Sequence, residues 1–232
     1  MYFGIDPMYL VMMAPVLLLS LYASIKVKSA FKKFSKIHSR SGLTGAEVAK
    51  RILNNSGIGN VNVVETRGFL SDHYDPIKKV VRLSPDVYNG KSISSIGVAA
   101  HETGHAIQHA QMYRPLMLRN AIAPTASIGS SFSWIIITLG FVIGSMGLVH
   151  AGIVFFSLVV VFQLITLPVE FNASERAKGI LVSHGILSSD EMVGVKSVLS
   201  AAAMTYVAAA VSAVMTLLYF LLRSGILGSR DD

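Results

Sequence analysis

The chain has no cysteine, one tryptophan and few charges: Asp, Glu, Lys and Arg make up 14 % of its 232 residues, where an ordinary soluble domain has about a quarter. The missing cysteine excludes a disulfide framework and any thiolate metal site. A metal bound here has only imidazole, carboxylate or water to hold it. The shortage of charge says something different. With 52 % of its residues apolar, the composition is that of a membrane protein with room for one modest polar domain. No internal repeat or low-complexity linker divides that domain.

Charge is missing in blocks. A helical crossing of the hydrocarbon core takes about 20 apolar residues. Residues 7–25 are just long enough. Residues 120–169 carry no Asp, Glu, Lys or Arg and hold two crossings, with "GSMGLVHAG" at 144–152 expected as the turn, and residues 197–222 make a fourth. The leader "MYFGID" has no positive residue and no cleavage site follows it, so the first span is expected to be a retained anchor, not a secretory signal.

Short cytoplasmic flanks hold the excess Lys and Arg. The segment after the first span, "KVKSAFKKFSKIHSR", has six: Lys26, Lys28, Lys32, Lys33, Lys36 and Arg40. The N-terminus is therefore expected outside, with residues 26–119 and the stretch beginning at Glu170 cytoplasmic. Arg223 and Arg230 sit against this rule at the outer end, although Asp231 and Asp232 follow them. Residues 26–119 hold fifteen basic and six acidic side chains, a net +9 that exceeds the +7 of the whole chain. Anionic lipid headgroups account for that segment, and no aromatic and basic interleaving points to nucleic acid.

Inside the polar segment, "LTGAEVAKRILNNSGIG" opens with a capping box at Thr44 and Glu47, repeats Val48, Ile52 and Leu53 at helical spacing and stops at Gly57. "VNVVET" and "KKVVRLS" are rich in β-branched residues, with turn chemistry in "SDHYDP" between them, so a hairpin or a pair of short strands is expected. "SISSIGVAAHETGHAIQHAQMY" reads as an Ala-rich helix ending before Pro115.

That helix carries His101, Glu102 and His105 as H-E-x-x-H. Two histidines four apart lie on one helix face about 6 Å apart along the axis, close enough to grip one zinc ion. Glu102, one position round, is placed to take a proton from metal-bound water and pass it to a leaving amine. With 7 His and 6 Glu in the chain, the pattern arises by chance in roughly one chain in two hundred. The apolar neighbours Val98, Ala99, Ala100, Ala106 and Ile107 imply a covered helix, where unpaired His and Glu cost several kcal/mol. A metal is expected to supply their partner. His109 lies about 12 Å along the axis from His101 and cannot join the same ion. It is expected to support the site from behind or to lie at the surface. The longer motif H-E-x-x-H-x-x-G-x-x-H fails at Gln108 and Gln111. A third ligand must come from elsewhere, and the second polar stretch offers Glu170, Glu175, Asp190 and Glu191. Glu170 is the first charge after fifty uncharged residues, at the membrane face where the HETGH helix is also expected.

"LTGAEVAKRIL", "DHYDP", "VRLS", "VYNG", "GVAAHETGHAIQHA", "LPVEFNASERA" and "TYVAAA", in this order, resemble the YugP-type membrane neutral zinc metallopeptidases and, more distantly, the HtpX and CAAX-prenyl-protease type. The likeness covers nearly the whole chain. It implies one zinc ion on His101, His105 and Glu170, with Glu102 as catalytic base. In the distant relatives an Asp follows the ligand Glu by four residues; here that position is Ser174, which leaves Glu175 and Asn172 to orient the histidines.

The expected fold is a mainly α membrane protein: four transmembrane helices with a cytoplasmic α+β, zincin-like domain carrying the HExxH helix. Its parts are an anchor (1–25), a metallopeptidase domain (26–125), a transmembrane hairpin (126–169), a cytoplasmic helix with the third ligand (170–196) and a last span with its tail (197–232). The expected activity is zinc-dependent cleavage of a polypeptide, membrane proteins included, at the cytoplasmic membrane face, and the resemblance implies a bacterial or archaeal cell membrane. His73, Tyr74 and Arg176 are candidates to contact the oxyanion or the substrate. The edge of "KKVVRLS" is expected to receive a substrate strand, and the "GFLSDHYDP" loop to restrict entry. Two other classes compete. One is a metal-stapled membrane scaffold or adaptor. The other, metal transport, wants ionisable residues within the spans, and His150 at a turn is the sole one there.

Overall fold

A computed structural model describes residues 6–227. Residues 1–5 lie outside the described part, and so do Arg230, Asp231 and Asp232 of the orientation argument. Among the described residues, seven helices and three short strands follow in the order α1 (Pro7–Phe34), α2 (Gly45–Asn55), β1 (Asn62–Glu65), β2 (His73–Asp75), β3 (Val80–Leu83), α3 (Pro85–Tyr88), α4 (Ile93–Ala110), α5 (Arg114–Ile143), α6 (Met146–Ser183) and α7 (Glu191–Arg223). α1, α5, α6 and α7 are long and apolar enough to cross a membrane. These helices outrun the charge-free blocks that marked them in the sequence. α1 continues through Lys26, Lys28, Lys32 and Lys33, because lysine is a good helix former and charge alone does not end a helix.

The chain divides into two compact units, each containing parts of the long helices. The first comprises residues 1–22, 117–167 and 205–232. Its core joins Ile137 of α5, Val149, Ile153, Phe156 and Val160 of α6, and Ala213 and Phe220 of α7. Trp134 and Phe156 pack edge-on against Phe220 at 5.2 and 5.8 Å between ring centroids. Arg223 Nε lies 3.4 Å from Asp6 Oδ2, which also accepts from the Tyr219 hydroxyl at 3.0 Å. The arginine that sat against the charge rule is thus paired with an acid at the start of α1.

The α5–α6 turn is shorter than the sequence implied. Gly144 adopts φ +73°, open to glycine without strain, and α6 resumes at Met146. Gly152, expected within the turn, is helical instead. A Cβ there would stand 2.5 Å from Ile137 Cγ1 and 3.1 Å from Ile137 N. Its role is close helix packing.

The second unit comprises residues 23–116 and 168–204. α2 begins with the expected capping box: Glu47 N donates to Thr44 Oγ1 at 3.2 Å, and Thr44 N donates to Glu47 Oε2 at 2.7 Å. Of the two expected arrangements, the pair of short strands is the one present. β1 and β3 run parallel, with Val63 opposite Val81, so they form no hairpin. Part of "SDHYDP" is itself β2, antiparallel to β3 with Tyr74 opposite Val81. The tight reversal falls later, where Asp75 Oδ1 accepts from Ile77 N and Lys78 N and Lys79 takes φ +50°. The order β1-β3-β2 puts β3 in the centre. Both its edges are occupied, so the expected docking of a substrate along β3 is overturned.

α4 is the buried axis of this unit. Ser92 caps its start, accepting from Ser95 N at 3.1 Å. Ile96, Ala100 and Ile107 enter one apolar cluster with Val48, Ile52, Ala177 and Leu181. Ala99 and Ala106 enter another with Leu53, Val63, Val81 and Leu83. The helix ends as the expected break approaches, with Met112 at φ +50° and Tyr113 N donating to Gln108 O at 2.9 Å.

Candidate metal centre

His101 and His105 stack edge to face on α4, their ring centroids 4.8 Å apart. α6 faces them. Gly104 permits the approach: a Cβ there would lie 2.7 Å from the main-chain oxygen of Ala173. With the helices this close, Glu170 Oε2 lies 3.2 Å from His101 Nε2 and 3.5 Å from His105 Nε2. Glu170 is 2 % exposed. Burying a carboxylate so completely is costly without a cation or donors around it, and two imidazoles surround this one.

Each histidine is held from behind. His101 Nδ1 lies 3.2 Å from Ser174 Oγ, and His105 Nδ1 lies 3.0 Å from Gln108 Oε1. Gln108 is fully buried and donates through Nε2 to Val169 O at 2.8 Å and to Asn172 Oδ1 at 3.0 Å. Of the two orienting groups expected, Asn172 therefore acts through Gln108. Glu175 instead pairs with Lys178 at 2.6 Å, its side chain largely exposed. Ser174 and Gln108 were the residues missed. The signal for Gln108 was available, since positions 101, 105 and 108 share one helix face. Among the described residues no buried side-chain nitrogen or oxygen lacks a hydrogen-bond partner.

The donors of His101, His105 and Glu170 lie within 4.8 Å of one another, which tests whether a metal fits. Two imidazole nitrogens and a carboxylate oxygen are the donor types zinc takes. Tetrahedral ligands at about 2.0–2.1 Å stand about 3.3 Å apart, and the two nitrogen-to-oxygen separations of 3.2 and 3.5 Å bracket that figure. The donor set is of the type, and close enough, to bind a metal ion.

Glu102, 8 % exposed, adjoins His101 on α4. The other candidates are dispersed. The Tyr74 hydroxyl lies 2.9 Å from His109 Nδ1, and removal from water pushes the phenol pKa up. His73 is exposed, its Nδ1 2.8 Å from Ser71 O. Arg176 donates Nε to Asn172 Oδ1 at 2.7 Å and Nη1 to Gln111 Oε1 at 2.6 Å, and lies over the Tyr113 ring. Asp72, beside β2, accepts from Ser84 N at 2.7 Å. Burial nevertheless pushes its carboxyl above the ordinary range.

Four membrane-capable helices and a His, His, Glu cluster define a mainly helical protein with four candidate membrane spans and a candidate metal centre. A family model described as "Putative neutral zinc metallopeptidase" matches residues 9–225, and the chain belongs to that family. It is 51 % identical over 214 residues to the "Putative membrane protease YugP" of Bacillus subtilis (strain 168), across 92 % of this chain and 94 % of that protein. No solved structure matches it.

Proposed function

We propose that the chain is a membrane-embedded zinc-dependent metalloendopeptidase that cuts polypeptide at the cytoplasmic face of the cell membrane. The convergence of both imidazole Nε2 atoms on one Glu170 oxygen, at 3.2 and 3.5 Å, carries this reading. His101, His105 and Glu170 would hold the ion. Zinc bound there supplies Lewis acidity, polarising a carbonyl and bringing the pKa of water to about 7.

The remaining work falls to the chain. Glu102 takes a proton from the attacking water on its carboxylate and returns it to the leaving nitrogen, from a buried position beside His101 on α4. Tyr74 is the first candidate to donate to the oxyanion, because its hydroxyl is paired with a side chain, His109, that can exchange partners. His73 and Arg176 follow, Arg176 last because two of its nitrogens are engaged within the protein. The basic second half of α1 supports the cytoplasmic assignment. Both the sheet and α4 belong to the proposed cytoplasmic, zincin-like part.

The test is purified full-length protein against an unfolded polypeptide, with metal content measured in parallel. Glu102→Gln is expected to keep zinc and lose hydrolysis. Retained hydrolysis rejects the assignment. For a metal-stapled scaffold the pattern reverses: Glu102→Gln is silent and His105→Ala unfolds the protein.

A further inference from the structure

A chain of hydrogen bonds runs from Arg176 to His105, and its direction is determined by chemistry. A guanidinium can only donate. Arg176 Nε reaches Asn172 at 2.7 Å, so the oxygen of that amide must face it. The same oxygen lies 3.0 Å from Gln108, so the Gln108 atom facing it must be the NH₂. The Val169 carbonyl, 2.8 Å from that nitrogen, imposes the same choice independently, since a carbonyl only accepts. The other end of the amide, Oε1, is therefore what His105 Nδ1 meets at 3.0 Å. A nitrogen facing a carbonyl oxygen at that distance carries the hydrogen.

We infer that Gln108 is a positioning residue: it locks His105 as the Nδ1–H tautomer and presents the Nε2 lone pair to the metal site. Two consequences follow. In the neutral ring, Nε2 is then an acceptor, and it faces an acceptor, Glu170 Oε2, at 3.5 Å. A cation between them resolves that opposition, so the tautomer prepares the site for a metal. Second, the glutamine that spoils the longer histidine motif takes the part that an acidic side chain often plays behind a metal-ligating histidine. His101 has no such one-way partner, because Ser174 Oγ can donate or accept. The two ligands are thus held unequally, and Gln108 is complete only when α4 packs on α6.

This inference rests on the proposed metal site but not on peptidase activity, and its tests are chosen accordingly. In the full-length chain in nanodiscs, stripped of metal at pH 8, nitrogen NMR of labelled histidine is expected to show His105 protonated at Nδ1; its signal is identified by its loss in His105→Asn. Protonation at Nε2 overturns the inference. Gln108→Met, close in size but unable to accept that hydrogen bond, is expected to weaken zinc binding by about ten- to a hundred-fold in a chelator competition, with helical circular dichroism retained. Unchanged zinc affinity in folded Gln108→Met also overturns it. Should Gln108→Met fail to fold, the wild-type NMR result decides alone. Zinc binding without hydrolysis would count against the proposed function and leave this inference standing. A wild type that binds no zinc would remove the metal site itself.

Discussion

The two units treat polar side chains in opposite ways. In the first, serine and threonine hydroxyls such as these turn back on their own helix: Ser130 Oγ donates to Ser127 O, Ser157 Oγ to Val154 O and Thr166 Oγ1 to Phe162 O, all at 2.7–2.9 Å, and the cross-helix group of Tyr219, Asp6 and Arg223 lies at the helix ends. Its exposed side chains include Val11 at 75 % and Leu17 at 70 %. That is the inverse of a water-soluble surface, and it suits a lipid environment, which offers polar atoms no partner. In the second unit, buried polar groups reach between elements far apart in sequence: Gln108 to Val169 and Asn172, and Ser94 Oγ to Phe31 O. Polarity kept within a helix leaves the hydroxyls with nothing to assemble. Polarity shared between helices builds a site.

The sharpest test of this contrast is chemical. Glu102→Gln is expected to lower hydrolysis about 10²- to 10⁴-fold, the span of a general base, while zinc content stays unchanged. Comparable loss from replacing a hydroxyl of the first unit, such as Ser157→Ala, would erase the distinction. Next comes a pair of close-packed glycines. Gly104→Ala drives a methyl toward a main-chain oxygen that cannot yield, and Gly152→Ala drives one toward Ile137. Each is expected to cost about 1–3 kcal/mol in reversible unfolding in detergent. Zinc affinity should fall with Gly104→Ala alone, because only there are the separated helices those that carry the ligands.

Asp72 gives a smaller effect with a definite sign. Its folded-state pKa is raised, so its contribution to stability is fully present below the unfolded-state value, about 3.9. It is lost as pH climbs through the higher folded-state value. Melting measured from pH 4 to 7 should therefore show the stability of Asp72→Asn improving relative to wild type. A parallel pair of curves would show no contribution from this carboxyl. Smallest of all, Ser157→Ala itself should move stability by less than about 0.5 kcal/mol, since its bond is local to one helix.

What could be read from the sequence follows the range of each interaction. The capping box at Thr44 and Glu47, the four long apolar helices and the pairing of His101 with His105 depend on residues close to one another along the chain, and each is present in the fold. Glu170 stood out for its position, as the first charge after a long apolar run. The parallel pairing of β1 with β3 was hidden because β-branched composition carries no strand direction, and β2 was hidden because "SDHYDP" has the composition of a turn. Gln108 shares a helix face with the two histidines and could have been read from spacing, whereas Ser174 reaches His101 only through the register of α4 against α6, where Gly104 meets Ala173.

The most direct measurement is X-ray absorption at the zinc edge of the purified full-length chain and of Glu170→Ala. One zinc per chain is expected in wild type, with two imidazoles and a carboxylate oxygen in its shell; Glu170→Ala should lose the metal or replace that oxygen with solvent. An unaltered shell and undiminished affinity in Glu170→Ala would contradict the assignment of Glu170 as the third ligand.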